Sequence, residues 1–155
     1  MPEEIAEIRT LLAPVTDGTI MLPGSVIAEV VDLPDPQPYT DAPDWLLGGM
    51  NWNEWHVPIL SLSILAGVTA KEMTNARSRV LIVKSLSESS GAPYLGLLIS
   101  GVPRLAKVGS DSLNNAIKPP KSQGLFSEVT FNDEQVWIPD LDEIVRLVEP
   151  QLEKN

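Results

Sequence analysis

The chain has 155 residues, 43% apolar and 21% charged, with a formal net charge of −10. That is the size of one domain and the mixture of a globular protein rather than a disordered one. Cysteine is absent and histidine occurs once, at His56, which excludes disulfides, a cysteine nucleophile and thiolate or two-histidine metal sites.

Fourteen prolines and ten glycines cut the chain into short pieces, the pattern of an all-β domain. Residues 9–15 (RTLLAPV) form a first predicted strand. Asp17-Gly18 marks a hairpin turn, because glycine accepts positive φ, and 19–22 is the return strand. Pro23-Gly24 breaks it, and 25–31 is a turn of helix or an irregular strand. Residues 32–44, with four prolines and four aspartates, form an exposed extended loop. Residues 51–54 (NWNE) are turn-like. Residues 55–62 (WHVPILSL) are a strand, with Pro58 implying a sheet edge or a bulge. Thr69-Ala70-Lys71-Glu72 is a capping-box pattern and predicts a short helix near 69–76. Residues 79–83 and 94–99 are nearly continuous apolar runs, expected of strands buried on both faces, with Val80, Ile82, Leu95, Leu97 and Ile99 among the most buried residues. Residues 105–108 are a further candidate strand, and the polar segment 109–124 is assigned as loop.

Residues 126–131 and 135–138 form a hairpin around Asn132-Asp133. Asp140 caps a C-terminal helix over 140–149, with Leu141, Ile144, Val145 and Val148 on one face and Pro150 as its stop. A faint echo links the two halves. Asn51 is followed seven residues later by Pro58 and then Leu60; Asn132 is followed seven residues later by Pro139 and then Leu141. On spacing alone, coincidence outweighs a repeated hairpin.

Charge is unevenly spread. Residues 1–60 hold ten acids and one base (−9), residues 61–121 three acids and eight bases (+5), and residues 122–155 eight acids and two bases (−6). Two faces of opposite potential would follow, or a simple drift of surface charge along the chain. The acid excess argues against nucleic acid. No apolar run approaches the ~20 residues of a membrane span. The acidic N-terminus MPEEIAEIR has no signal-peptide pattern, so a cytoplasmic protein without direct membrane insertion is expected.

Catalytic patterns do not emerge. There is no phosphate-cradling glycine loop and no nucleophile elbow. His56 lies in a predicted strand with nothing arranged to pair it, and Asp32, Asp35, Asp41 and Asp44 do not have calcium-loop spacing. No cofactor is indicated. The aromatic placement does stand out. Trp45, Trp52 and Trp55 fall within eleven residues. Trp45 and Trp55 are assigned to the core, and Trp52, in a polar turn, to an interface.

The stretch APDWLLGGMNWNEWHVPILSLSILAG resembles the signature of the CheW family of chemotaxis adaptors, through Pro43, Leu47, Gly48, Asn51, Val57, Pro58, Ile59 and Leu62. Ile27-Ala28-Glu29-Val30 is similar to the family's Val-x-Glu-Ile segment. Arg79 to Val83 resembles its Arg-x-Ile-Val-Val strand, and Leu95 to Val102 its Gly-Leu-Leu-Val-Asp-x-Val. The match spans about residues 9–149. Four positions depart from it. The family's Arg-Gly turn is Asn53-Glu54 here, and two family aspartates are Ser61 and Ser100.

MLPG together with APDWLLGG is similar to the second adaptor-like proteins of type IV pilus chemosensory systems. The resemblance implies two intertwined five-stranded SH3-like β-barrels with a C-terminal helix, in a single domain. It implies a non-enzymatic adaptor that couples a chemoreceptor tip to a CheA-type histidine kinase. The implied partner surface is Glu29, Val30, Asn51, Trp52, Asn53 and Glu54. The Asn53-Glu54 change removes a bidentate guanidinium and adds an acid, which weighs against an acidic receptor tip. The alternatives are a small-ligand-binding barrel with tryptophans lining a pocket, or a degenerate adaptor with a different protein partner.

Overall fold

The computed structural model describes residues 8–85, 92–108, 113–114, 125–131 and 133–153. The order is β1 (Ile8–Val15), β2 (Gly18–Pro23), a 3₁₀ turn (Gly24–Val26), β3 (Ile27–Asp32), β4 (Leu46–Trp52), β5 (Trp55–Leu60), α1 (Leu62–Leu65), β6 (Arg79–Lys84), β7 (Tyr94–Ile99), β8 (Arg104–Val108), β9 (Leu113–Asn114), β10 (Leu125–Phe131), β11 (Glu134–Pro139) and α2 (Leu141–Leu152). Two sheets result. The first, sheet A, has the order β8-β1-β2-β11-β10-β9; the second, sheet B, has the order β3-β6-β7-β5-β4.

The sheets share one plan. In sheet A, β8, β1 and β2 are antiparallel neighbours, and the β10–β11 hairpin joins β2 through a parallel contact of β11. In sheet B, β3, β6 and β7 are antiparallel neighbours, and the β4–β5 hairpin joins β7 through a parallel contact of β5. Both hairpins end in a capped helix start. The Ser61 hydroxyl accepts from the Ile64 N–H, and the Asp140 carboxylate from the Glu143 N–H. The spacing echo of the sequence does not coincide with this repeat: aligned on the caps Ser61 and Asp140, Pro58 corresponds to Trp137 and Leu60 to Pro139, so the echo is a coincidence of spacing.

Sheet B is continuous in sequence and is inserted between two parts of sheet A. The expected all-β architecture with a C-terminal helix is present. The ladders leave each sheet open at its end strands among the described residues.

Three cores explain the apolar runs. The central core draws Leu11, Ala13, Val15, Ile20 and Leu22 from sheet A, Leu60, Leu81, Val83, Leu95, Leu97 and Ile99 from sheet B, and Leu141, Ile144, Val145 and Val148 from α2. The alternate residues point the other way. Leu12 and Met21 join Val129, Phe131 and Val136 in a small core on sheet A, while Ile59, Val80 and Ile82 form one on sheet B. A strand between two cores must be apolar at every position. Val80, Ile82, Leu95, Leu97 and Ile99 are all fully buried.

Several expectations are corrected. No helix forms at 69–76. The Thr69 hydroxyl makes only a local turn with Lys71, and the Glu72 carboxylate, which would complete the capping box, is taken by the hydroxyls of Thr16 and Ser61. Of the two places expected for Pro58, it is not at an edge but in an interior strand next to an irregularity: the β4 register shifts between Leu46 and Gly48, opposite Leu60 and Ile59, and the parallel ladder with β7 begins at Ile59, beyond the missing N–H. The Asp17-Gly18 hairpin forms, but the positive φ belongs to Asp17. Gly18 is required for space, since a Cβ there would sit 2.5 Å from the Trp137 ring. Helix α2 runs through Pro150 to Leu152. Leu147 and Leu152 pack on the central core and offset the lost hydrogen bond. Within the assigned loop 109–124, Leu113–Asn114 pair with β10; the rest of that loop and Asn132 lie outside the described residues.

Candidate functional site

The β4–β5 hairpin turns at Asn53 and Glu54, both at positive φ (45° and 67°). Two successive left-handed residues give the turn that matches strand twist. Asparagine tolerates this conformation, whereas glutamate carries a steric cost that glycine would not. Trp52 and Trp55 close the turn as a cross-strand pair. Tyr94, at the start of β7, completes an aromatic group, with ring centroids 5.0 Å from Trp52 and 5.6 Å from Trp55.

Strands β3 and β4 lie at opposite ends of sheet B, yet their side chains meet. The Trp52 Nε1–H donates to Glu29 Oε2 at 3.3 Å. Ala28 and Val31 of β3 and Met50 and Trp52 of β4 pack on the same Ile59, Val80 and Ile82 core. The sheet therefore curls until its ends touch through side chains, which gives it the SH3-like look. A register shift between Ile27 and Glu29 helps to aim Glu29 at this seam.

The tryptophans divide differently from expectation. Trp45 packs against the central core as assigned. Trp55 does not; it is 47% exposed. It has the same strand parity as the buried Val57 and Ile59, but at the hairpin tip the core beneath it has ended. Trp52 is half-buried, capping the sheet B core while its indole N–H reaches Glu29.

The six candidate residues do not form one face. Glu29, Trp52, Asn53 and Glu54 gather at the seam and the turn. Val30, 39% exposed, is paired with Leu81 of the central core, so it points away from the Glu29 side. Asn51 pairs with His56 on the other face of the hairpin. Sequence alternation alone carries this separation.

His56 is exposed, as a strand histidine at a surface was expected to be, but it has a partner. Tyr39 Oη lies 2.5 Å from His56 Nε2. Burial pushes the Tyr39 phenol up to about 12, so the hydroxyl stays protonated beside the imidazole. Gly49 makes room for this pair, since a Cβ there would come within 2.5 Å of both side chains. Gln37 and Gly49 exchange two backbone hydrogen bonds, of 2.8 and 3.0 Å, which fasten the 32–44 loop onto β4. No sequence pattern marks this clamp; Tyr39 and His56 are 17 residues apart and form no motif. Among the described residues no cluster of acids and histidine is arranged to hold a metal, and no helix is long and apolar enough to cross a membrane.

A CheW-like domain model matches residues 9–149, and the chain belongs to that family. Its structure is similar to the crystal structure of the scaffolding protein TtCheW from Thermoanaerobacter tengcongensis. The TM-score is 0.72 at 16% identity, over 87% of this chain and 90% of that one. At that identity the likeness is one of fold. No curated protein matches the sequence.

Proposed function

We propose that this CheW-like domain is a non-enzymatic adaptor that couples a chemoreceptor to a CheA-type histidine kinase in the cytoplasm, in a chemosensory pathway of the type IV pilus kind. Family membership supports the adaptor role. The observation that carries the choice of surface is the β4–β5 tip. Glu54 holds a left-handed backbone conformation that glycine would adopt without cost, beside a tryptophan that is 47% exposed. Strain retained next to an exposed aromatic is characteristic of a contact site.

Glu29, Trp52, Asn53 and Glu54 with Trp55 form the proposed contact, and Val30 and Asn51 flank it on other faces. The acidic rim favours a partner that offers cations or hydrogen-bond donors. The small-ligand barrel is disfavoured, because Trp52 caps a core already filled by Ile59, Val80 and Ile82. Titration of the full chain with a CheA-type regulatory domain and with a receptor-tip fragment tests the proposal. Trp55→Ala and Glu54→Arg should each weaken binding of at least one partner about tenfold or more with the fold intact, and added salt should weaken it further. Unchanged affinity in both variants would remove this surface from the proposal.

A further inference from the structure

Strand β8 ends sheet A, and its outer edge pairs with no strand among the described residues. Its register on β1 sets Leu105 across from Leu11 and Lys107 across from Arg9. Directly opposed residues share a face. Leu11 is 8% exposed and belongs to the central core, whereas its neighbour Leu105 is 77% exposed. The core-facing side of sheet A thus loses its cover at β8, and two cations face each other there. Like charges in direct opposition are unfavourable. Among the described residues neither Arg9 nor Lys107 has an ion pair; Arg79 and Arg104, by contrast, engage Asp32 and Glu134. Arg9, Leu105, Ala106 and Lys107 line an open cleft of about 300 Å³. On a chain of net charge −10, this is a local concentration of positive charge beside bare apolar surface.

We propose that β8 is a docking edge for an extended acidic segment of a partner protein. The segment adds as a strand along β8, sets an apolar side chain over Leu105, and places a carboxylate two residues away at Lys107 and Arg9. Side chains two apart on a strand share a face, so one short segment meets both requirements. The N–H and C=O groups on the outer edge of β8, which pair with no strand among the described residues, supply the main-chain hydrogen bonds, and the cations supply the selectivity. The same cations act against pairing with a second copy of this edge, because that would juxtapose like charges. This site is independent of the β4–β5 tip.

The test uses the ¹⁵N-labelled full chain and an eight-residue peptide with Val and Glu alternating on one face and Thr on the other. The proposal expects amide shifts within Arg104–Val108 on titration. Lys107→Glu and Leu105→Gln should each weaken binding at least tenfold. A peptide with Lys in place of Glu should bind the native chain at least tenfold more weakly and should regain affinity for Lys107→Glu. Both substituted side chains are exposed, so the variants keep the fold, which their spectra verify. Absence of shifts at millimolar peptide, shifts confined to other strands, or affinity indifferent to the charge at 107 would overturn the proposal and leave Lys107 as an edge guard. Equal binding by a peptide N-methylated on alternate residues would overturn strand addition.

Discussion

Sheets A and B are built on the same plan and finished with different chemistry. Each is an antiparallel trio joined to a hairpin through a parallel contact, and each hairpin runs through a proline into a capped helix start. Sheet B closes its seam with Glu29 against Trp52 and presents an acidic, aromatic tip. Sheet A leaves its β8 end open, with Leu105 bare beside Arg9 and Lys107. One architecture thus offers two unlike ends, an acidic aromatic tip and an edge strand beside two cations.

The largest effect should come from the core common to both sheets. Leu97 is fully buried between them, so Leu97→Ala should cost about 2–5 kcal/mol in urea unfolding. A loss under about 1 kcal/mol would mean that the sheets do not depend on a joint core.

The two helix caps sharpen the comparison. Asp140→Ala should cost about 0.5–2 kcal/mol, the usual value of an N-cap. Ser61→Ala should fall at or above the upper end of that range. Ser61 is fully buried, and its hydroxyl both caps α1 and donates to the Glu72 carboxylate, which also binds Thr16. Equal losses would indicate that the Glu72 contact adds nothing.

At the turn of sheet B, Glu54→Gly should stabilise the protein by about 0.5–1 kcal/mol by relieving the left-handed glutamate. It should also weaken partner binding, which separates folding from function at one position.

The smallest effect is a pH dependence. Tyr39 is raised by burial to about 12, so its neutral form is favoured in the folded state. Its contribution is fully present below the ordinary tyrosine value of ~10 and is lost as pH rises from there through about 12. Alkaline unfolding of Tyr39→Phe should therefore be less steep than that of the native chain over this window. Identical slopes would show that the phenol is not buried.

Much of this was legible in the sequence for a simple reason. Strands such as β6 and β7 lie between two cores, so burial on both faces writes an unbroken apolar run. Asp140 and its helix face were equally plain, because capping and the 3.6-residue period are local. The misses share a non-local cause. The Thr69–Glu72 pattern has the local form of a capping box, but its glutamate is claimed by hydroxyls from Thr16 and Ser61, far away in the chain. Trp55 alternates correctly with Val57 and Ile59 yet overshoots the end of their core. Pro150 is a local stop overruled by the packing of Leu152. At the site, the turn and its tryptophans were visible, but the Glu29–Trp52 seam joins two ends of a curled sheet, and no pattern within either strand encodes that meeting.

The central claim is that the acidic, aromatic tip of sheet B receives the kinase regulatory domain or the receptor tip. Amide shift mapping of the full chain during titration with a CheA-type regulatory domain and then a receptor-tip fragment tests it most directly. The account predicts that at least one of these produces shifts concentrated at Glu29, at 52–55 and at Tyr94, lost in Trp55→Ala while that variant keeps its fold. Saturable binding by either partner that leaves those amides unmoved and perturbs other strands instead would contradict it.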